Sequence, residues 1–268
     1  MNYRPPLRIV RMGRCVLFRK PWPGKPMLKR IAASLGHRAI AAGAHVPDVA
    51  SFRAFDQQAR TMRLIRKLDI NLVLDVGANR GFWSQHLRQS GYTGAIMTFE
   101  PLAANAPAIA AKRNGDPNWH AMACALGKED GTADFNMIVT GEDDETVLSS
   151  FLPLKGKGSR TQVETVEVKR LDGFLPMIRE IVPDARIFLK MDTQGFDANV
   201  VAGAGALIDQ VRLLQSEVSV VPLYEGMVHY TDSLSEYEKL GFRLADLFVV
   251  NRMPDGTVLE YDCLMMRG

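Results

Sequence analysis

Cysteine is scarce in this chain of 268 residues, and the three present (Cys15, Cys124, Cys263) lie far apart with no C-x-x-C pair. That spacing argues against a disulfide framework or a zinc site and fits a reducing compartment. Long apolar runs are also lacking, since no stretch reaches the roughly 18 residues of a membrane-spanning helix. The opening MNYRPPLRIVRMGRCVLFRKPWPGK is too punctuated by arginine to read as a secretory signal. The expected location is the cytoplasm. Two phosphate-binding signatures are missing as well: no G-x-G-x-x-G turn and no glycine-rich loop ending in G-K-S or G-K-T. A dinucleotide oxidoreductase and a P-loop enzyme therefore have no support.

Acid is absent from the first 47 residues, which hold ten lysines and arginines. Taking these ten from the 33 basic residues of the whole chain leaves 23 against 30 acidic, a net charge of −7 for the remainder. A basic tail of this kind suits a solvated extension, and secondarily peripheral contact with anionic lipid. It also keeps open a nucleic-acid substrate, although the acidic remainder makes that partner the weaker expectation. Residues 1–70 read as this extension plus a helical cap, with helices expected near Met27 to Gly43 and Ser51 to Leu68.

From residue 71 to 268 the pattern alternates. Apolar runs such as NLVLDVG, GAIMTFEP and IFLKMD are separated by stretches of helical period, GFWSQHLRQSG and FDANVVAGAGALI among them. Alternation of this kind predicts an α/β domain with a doubly wound, mostly parallel sheet. The last two runs, FRLADLFVV and VLEYDCLMMR, are joined by NRMPDGT, which allows only an antiparallel hairpin. WHAMACALG reads as one strand, and the region from FNMIV through the acidic loop GEDDET to KGKGS reads as irregular, with QVETVEVKRL as a strand after it. Phe82, Trp83 and Phe99 read as core aromatics.

In such a sheet, ligands sit beyond the carboxyl ends of the strands. LDVGANRG ends the first strand of the alternating region, so Gly77 and Gly81 are read as letting the backbone approach a ligand closely, with Ala78 and Asn79 between them. The pattern is G-x-x-x-G, with Asp75 two residues ahead. A carboxylate there would repel phosphate and welcome an ammonium group. Glu100, ending MTFE ahead of Pro101, is placed to take both hydroxyls of a ribose. Carboxylate, bare backbone and second carboxylate together describe a pocket for S-adenosylmethionine.

VLDVGANRGFWS, TFEPLAAN, CALG, FLKMDTQGFDANVVAGA and the closing GFRLADLF…EYDCLMMR resemble the FkbM family of S-adenosylmethionine-dependent methyltransferases, over about Asn71 to Arg267. The resemblance implies a class I Rossmann-like fold and O-methylation of a hydroxyl on a saccharide, glycolipid or related natural product. It also implies that Ala125 and Leu126 flank the adenine. Asp197 departs from the family pattern, which mostly has Glu there.

Two residues are the expected catalytic pair. Asp192 ends IFLKMD, where burial beside Phe188, Leu189 and Met191 would make its carboxylate a better base, and Gln194 would orient the substrate. Glu217 ends the next strand and could share a divalent cation with Asp192, although two carboxylates are a thin donor set. His229 is an alternative base on a loop. Two other readings stand beside methyl transfer: a binding module without catalysis, and a nucleic-acid methyltransferase that uses the basic N-terminus.

Overall fold

The computed structural model describes residues 50–139, 150–152 and 160–268. The expected helix at Met27 to Gly43, the basic tail and the GEDDET and KGKGS loops lie outside them. No helix among the described residues is long and apolar enough to cross a membrane.

Three five-residue strands make the centre: β1 (Leu72–Val76), β2 (Ala95–Phe99) and, later in the chain, β7 (Ile187–Met191), with every residue of all three buried. Strands buried on both faces read as near-continuous apolar runs, as these do apart from Asp75, Thr98 and Lys190, and each buried aliphatic side chain contributes roughly 1.5–3 kcal/mol. Around them are β3 (Trp119–Met122), β8 (Val211–Ser219), β9 (Arg243–Arg252) and β10 (Val258–Met266). The sheet runs in the order β3-β2-β1-β7-β8-β10-β9. All neighbouring pairs through β8 are parallel, while β10 is antiparallel to both β8 and β9. The expected hairpin is therefore present, and its second strand inserts between β8 and β9.

Helices cover both faces. On one side α1 (Ala50–Lys67), α2 (Phe82–Gln89) and α3 (Ala106–Arg113) lie over a core that includes Met62, Ile65, Leu87, Trp119 and Phe188. On the other side α4 (Leu175–Ile181), α5 (Asp197–Ala202) and α6 (Tyr230–Lys239) lie over Leu74, Ile178, Val200 and Tyr237. Helix α1 joins the compact unit that runs from Ser51 to Gly268. Trp83 and Phe99 pack in the core as expected, but Phe82 is 54% exposed beneath Lys112, whose ammonium stands 3.8 Å from the ring centre.

Two departures from the sequence reading matter for the site. WHAMACALG is two strands: Trp119–Met122 stays in the main sheet, while β4 (Ala125–Leu126) turns into a second sheet of order β4-β6-β5. FNMIV, read as irregular, belongs to β5 (Gly131–Val139), paired antiparallel along β6 (Arg160–Lys169). Polar residues interrupt the alternation in GTADFNMIV, so the period-2 signal was faint. Helix α4 was not anticipated either. Its seven residues follow a short 3-10 turn and give too brief a pattern to register.

Chain order reverses between β1 and β7. From β1 the chain builds outward through β2 and β3, and it returns on the opposite side of β1 as β7. The carboxyl ends of these two strands diverge into separate turns, which opens a crevice there.

Candidate active site

A cleft of about 600 Å³ occupies that crevice, bordered by Val76, Gly77 and Asn79 after β1, Glu100 to Leu102 after β2, and Asp192 to Gln194 after β7. Its far wall is apolar and comes from the second sheet and its surroundings: Ala125, Leu126, Phe135 and Phe151. Phe151 stacks edge-on against Phe135 at 4.9 Å and leans on Phe196 at 4.6 Å.

Of the residues expected to bind a ligand, Gly77, Asn79, Glu100, Pro101, Ala125 and Leu126 border this cleft; Asp75, Ala78 and Gly81 do not. Asp75 is the largest correction. Along β1, alternation sends Leu74 and Val76 to one face and Asp75 to the other, beneath α1 and α2. There its carboxylate is fully buried, taking a 2.6 Å hydrogen bond from the Ser84 hydroxyl and standing 2.9 Å from the Lys190 ammonium. It is closed off from any ligand in the cleft. Burial works to lower the Lys190 pKa, but attraction to Asp75 and Asp192 outweighs it and holds the ammonium above its usual range. A buried pair of this kind adds little net stability while whole, yet removing one partner costs about 3–5 kcal/mol.

The glycines also do something other than expected. Gly77 has φ +74°, and a Cβ there would lie 2.1 Å from the carbonyl oxygen of Asp192. The close approach is to the neighbouring strand of the same chain. Gly81, at φ +75°, faces Ile109 and Trp119, and Ala78 is buried with its N–H donated to the Phe99 carbonyl.

Glu100 does line the cleft, but it is already busy. The N–H of Asn79 (2.8 Å), the N–H of Leu102 (3.0 Å) and the side-chain amide of Asn105 (3.0 Å) all donate to it. A carboxylate offers about four acceptor sites, which leaves one for a ligand. Burial raises its pKa, with the three hydrogen bonds opposing. Asn79 is left-handed at φ +48°, and its side-chain oxygen is buried with no hydrogen-bond partner among the described residues. A buried acceptor in that condition invites a donor from a ligand.

The second turn holds the reactive groups. Asp192 is 46% exposed and 3.7 Å from Lys190, so the burial expected for it is not found. Strand β7 ends one residue earlier, and the side chain stands beyond the sheet edge. Gln194 follows at φ +51°, a left-handed conformation rare outside glycine and concentrated at functional sites. Its amide nitrogen donates to Asp192 (3.1 Å) and to Glu217 (2.9 Å), and its amide oxygen accepts from the Tyr224 hydroxyl (3.0 Å). Its backbone carbonyl accepts from Ser150 at 2.8 Å. An amide N–H pair thus sits between the two carboxylates suggested as cation ligands. Among the described residues no cluster of three metal-binding side chains forms. Burial, then the charges of Asp192, Glu260 and Asp262, pushes Glu217 well above the usual carboxylate range.

Asp197 closes the turn from beneath: it accepts from the N–H and hydroxyl of Thr193 and from Ser216. His229 begins α6 with its ring on the Thr231 hydroxyl, outside the cleft lining. Sequence reasoning missed Tyr224, Ser150, Asn105 and the aromatic pair Phe135 and Phe151. Asn105 closes the segment TFEPLAAN, close to Glu100 in sequence; the others carry no motif, and only the folding of distant segments brings them here.

A seven-stranded sheet in this order, with an inserted antiparallel strand and a cleft at the β1/β7 reversal, is a class I Rossmann-like methyltransferase fold. A model of the methyltransferase FkbM domain matches residues 75–244, well over half of the sequence, and the chain belongs to that family. No curated protein matches the sequence. Among solved structures it is similar to the methyltransferase FkbM from Methylobacillus flagellatus KT, at 17% identity and TM-score 0.43, covering 74% of this chain and 44% of that one. This chain thus spans less than half of that protein. It is also similar to 1,6-didemethyltoxoflavin-N1-methyltransferase from Burkholderia thailandensis, at 12% identity, TM-score 0.42 and 92% of each chain. A third is precorrin-6y C5,15-methyltransferase from Geobacter metallireducens GS-15, at 11% identity and TM-score 0.42, covering 79% of this chain and 87% of that one.

Proposed function

We propose that the protein transfers a methyl group from S-adenosylmethionine to a hydroxyl of a saccharide, glycolipid or related natural product. The single observation behind this reading is the pairing, across one cleft, of a nucleoside-shaped half with a carboxylate-bearing half. The residues present fit the cofactor. Leu102, Leu126, Phe135 and Phe151 offer an apolar slot for adenine, Glu100 keeps an acceptor site for ribose, and the orphaned Asn79 oxygen calls for a donor such as an ammonium.

Bound there, the cofactor supplies an electrophilic methyl group. The protein's own share is alignment and proton removal. Asp192, at the mouth and open to solvent, accepts the proton as the acceptor oxygen forms its new bond. A positioned base of this kind is worth about 10²–10⁴-fold. Gln194 holds Asp192 in place through its amide, and Tyr224 fixes which end of that amide faces the carboxylates.

Titration calorimetry with S-adenosylmethionine and S-adenosylhomocysteine, followed by an S-adenosylhomocysteine-release assay on a glycan and glycolipid panel, tests the reading. Binding of both ligands, with turnover on at least one hydroxylated acceptor, is expected. Failure of both ligands to bind would end it.

A further inference from the structure

Three consecutive residues, Ser150, Phe151 and Leu152, reach both halves of the cleft. Ser150 is wholly buried. Its N–H donates to the Asn136 carbonyl at 3.0 Å and its carbonyl accepts from the Asn136 N–H at 2.9 Å, a one-residue antiparallel pairing on the edge of β5 that β6 leaves open. Phe151 then lines the apolar wall of the cleft. Leu152 packs against the turn after β7, where a Cβ on Gly195 would come within 3.1 Å of it.

The Ser150 hydroxyl has one proton to give. Its oxygen accepts from the Leu152 N–H (3.0 Å), and the proton goes to the backbone carbonyl of Gln194 (2.8 Å). That carbonyl lies at the centre of a tight turn, Thr193 to Phe196, closed by the Phe196 N–H on the Thr193 carbonyl at 3.3 Å. Both central residues are left-handed, Gln194 at φ +51° and Gly195 at φ +90°. Turns of this kind are dominated by Gly, Asn and Asp, because a longer side chain resists positive φ. Glycine meets the demand at the second position, but glutamine does not at the first. Gln194 therefore needs an outside hold, and Ser150 supplies it on the backbone. A return of Gln194 to negative φ would swing its side chain away from Asp192 and Glu217, to which its amide donates at 3.1 and 2.9 Å.

We propose that Ser150 is a positioning residue: its hydroxyl holds Gln194 left-handed and so keeps the Gln194 amide on the base, Asp192, while Ser150 itself touches no reacting atom. The proposal rests on the methyl-transfer reading above.

The test uses the full chain labelled with ¹⁵N, the Gln194 side-chain amide signals being assigned by their loss in Gln194→Glu. In wild type these two protons are held by carboxylates and should exchange slowly with water. Ser150→Ala should quicken their exchange at least about tenfold. In the S-adenosylhomocysteine-release assay on the glycan and glycolipid panel it should lower turnover by about 10–10²-fold. Affinity for S-adenosylhomocysteine should stay within about twofold of wild type. In a Gln194→Ala background the same change should lower turnover no further, since both residues act through one amide.

Asn136→Ala is the control for simple loosening of the segment. It removes the 3.4 Å bond from the Asn136 amide to the Phe151 carbonyl but spares the hydroxyl, so the Gln194 signals should stay as in wild type. If Ser150→Ala folds poorly, Ser150→Cys, of similar size and a weaker donor, takes its place with the same expected direction. Unmoved Gln194 signals in the Ser150 variant, an equal change in Asn136→Ala, or an additive loss in the double variant would overturn the proposal. Absence of S-adenosylhomocysteine binding, or of turnover by wild type on the whole panel, would instead strike the methyl-transfer reading. The exchange measurement needs no acceptor and decides the role of Ser150 either way.

Discussion

Two turns follow neighbouring parallel strands, and both use left-handed backbone, yet they do opposite things with their acids. After β1, Gly77, Asn79 and Gly81 all have positive φ, and the preceding Asp75 is sealed against Lys190 and Ser84. After β7, Gln194 and Gly195 have positive φ, and Asp192 is left half in water. The first turn has its acid satisfied from within the protein, leaves the Asn79 side-chain oxygen open to a ligand, and serves as a rigid frame. In the second, one amide bridges two carboxylates that have capacity to spare, which is where proton transfer can occur. A carboxylate next to a glycine turn is thus no guide to ligand contact until its partners are known.

Four experiments would break or sharpen this contrast. Gly77→Ala strikes the frame hardest, because the new methyl group would sit 2.1 Å from the Asp192 carbonyl and φ +74° is strained for alanine. Loss of most folded protein, or a fall in stability beyond about 3 kcal/mol in urea denaturation, is expected. Lys190→Met should cost about 3–5 kcal/mol by leaving Asp75 buried without a counter-charge, and Asp75→Leu in the same chain should return most of it. If the single variant is as stable as wild type, the frame is not held by this pair.

At the second turn, Asp192→Asn should lower turnover by about 10²–10⁴-fold while cofactor affinity and thermal midpoint stay near wild type. A parallel loss of cofactor affinity would make Asp192 part of the frame. The smallest effect is a pH dependence beside the site. Burial, against a hydrogen bond from Gln57, pushes Asp262 up to about 6. Gln215 also donates to it, Asp192 repels its charge and Lys190 attracts it. Since the folded pKa lies above the unfolded one, the associated stability is complete below about pH 4 and lost as pH rises through about 6. Thermal melts of wild type and Asp262→Asn should therefore diverge in favour of wild type by about 1–2 kcal/mol between pH 7 and pH 4.

Much of the architecture was readable in advance because its signals are local. LVLDV, AIMTF and IFLKM are apolar but for Asp75, Thr98 and Lys190, and all three are fully buried central strands. The final hairpin followed from a turn too short for any other pairing. At the site, the positions of Gly77, Glu100, Asp192 and Gln194 at strand ends were legible for the same reason. What Asp75 faces was not, because its partner Lys190 lies far along the chain and becomes a neighbour only when β7 pairs with β1. The second sheet, which supplies the aromatic wall, was hidden by mixed polarity in β5. Tyr224 sits outside any named strand or helix, and only the tertiary fold puts its hydroxyl on Gln194.

The amino-acid order alone determined the central strands, their alternation with helices, and hence a crevice at the ends of β1 and β7. Hydrophobic period and turn chemistry act over a few residues and need no knowledge of the rest. Which carboxylate is sealed and which is offered was decided by the tertiary structure, since an acid's chemistry depends on the charges and donors within about 4–6 Å. Strand pairing brought Lys190 to Asp75 and left Asp192 at the water's edge.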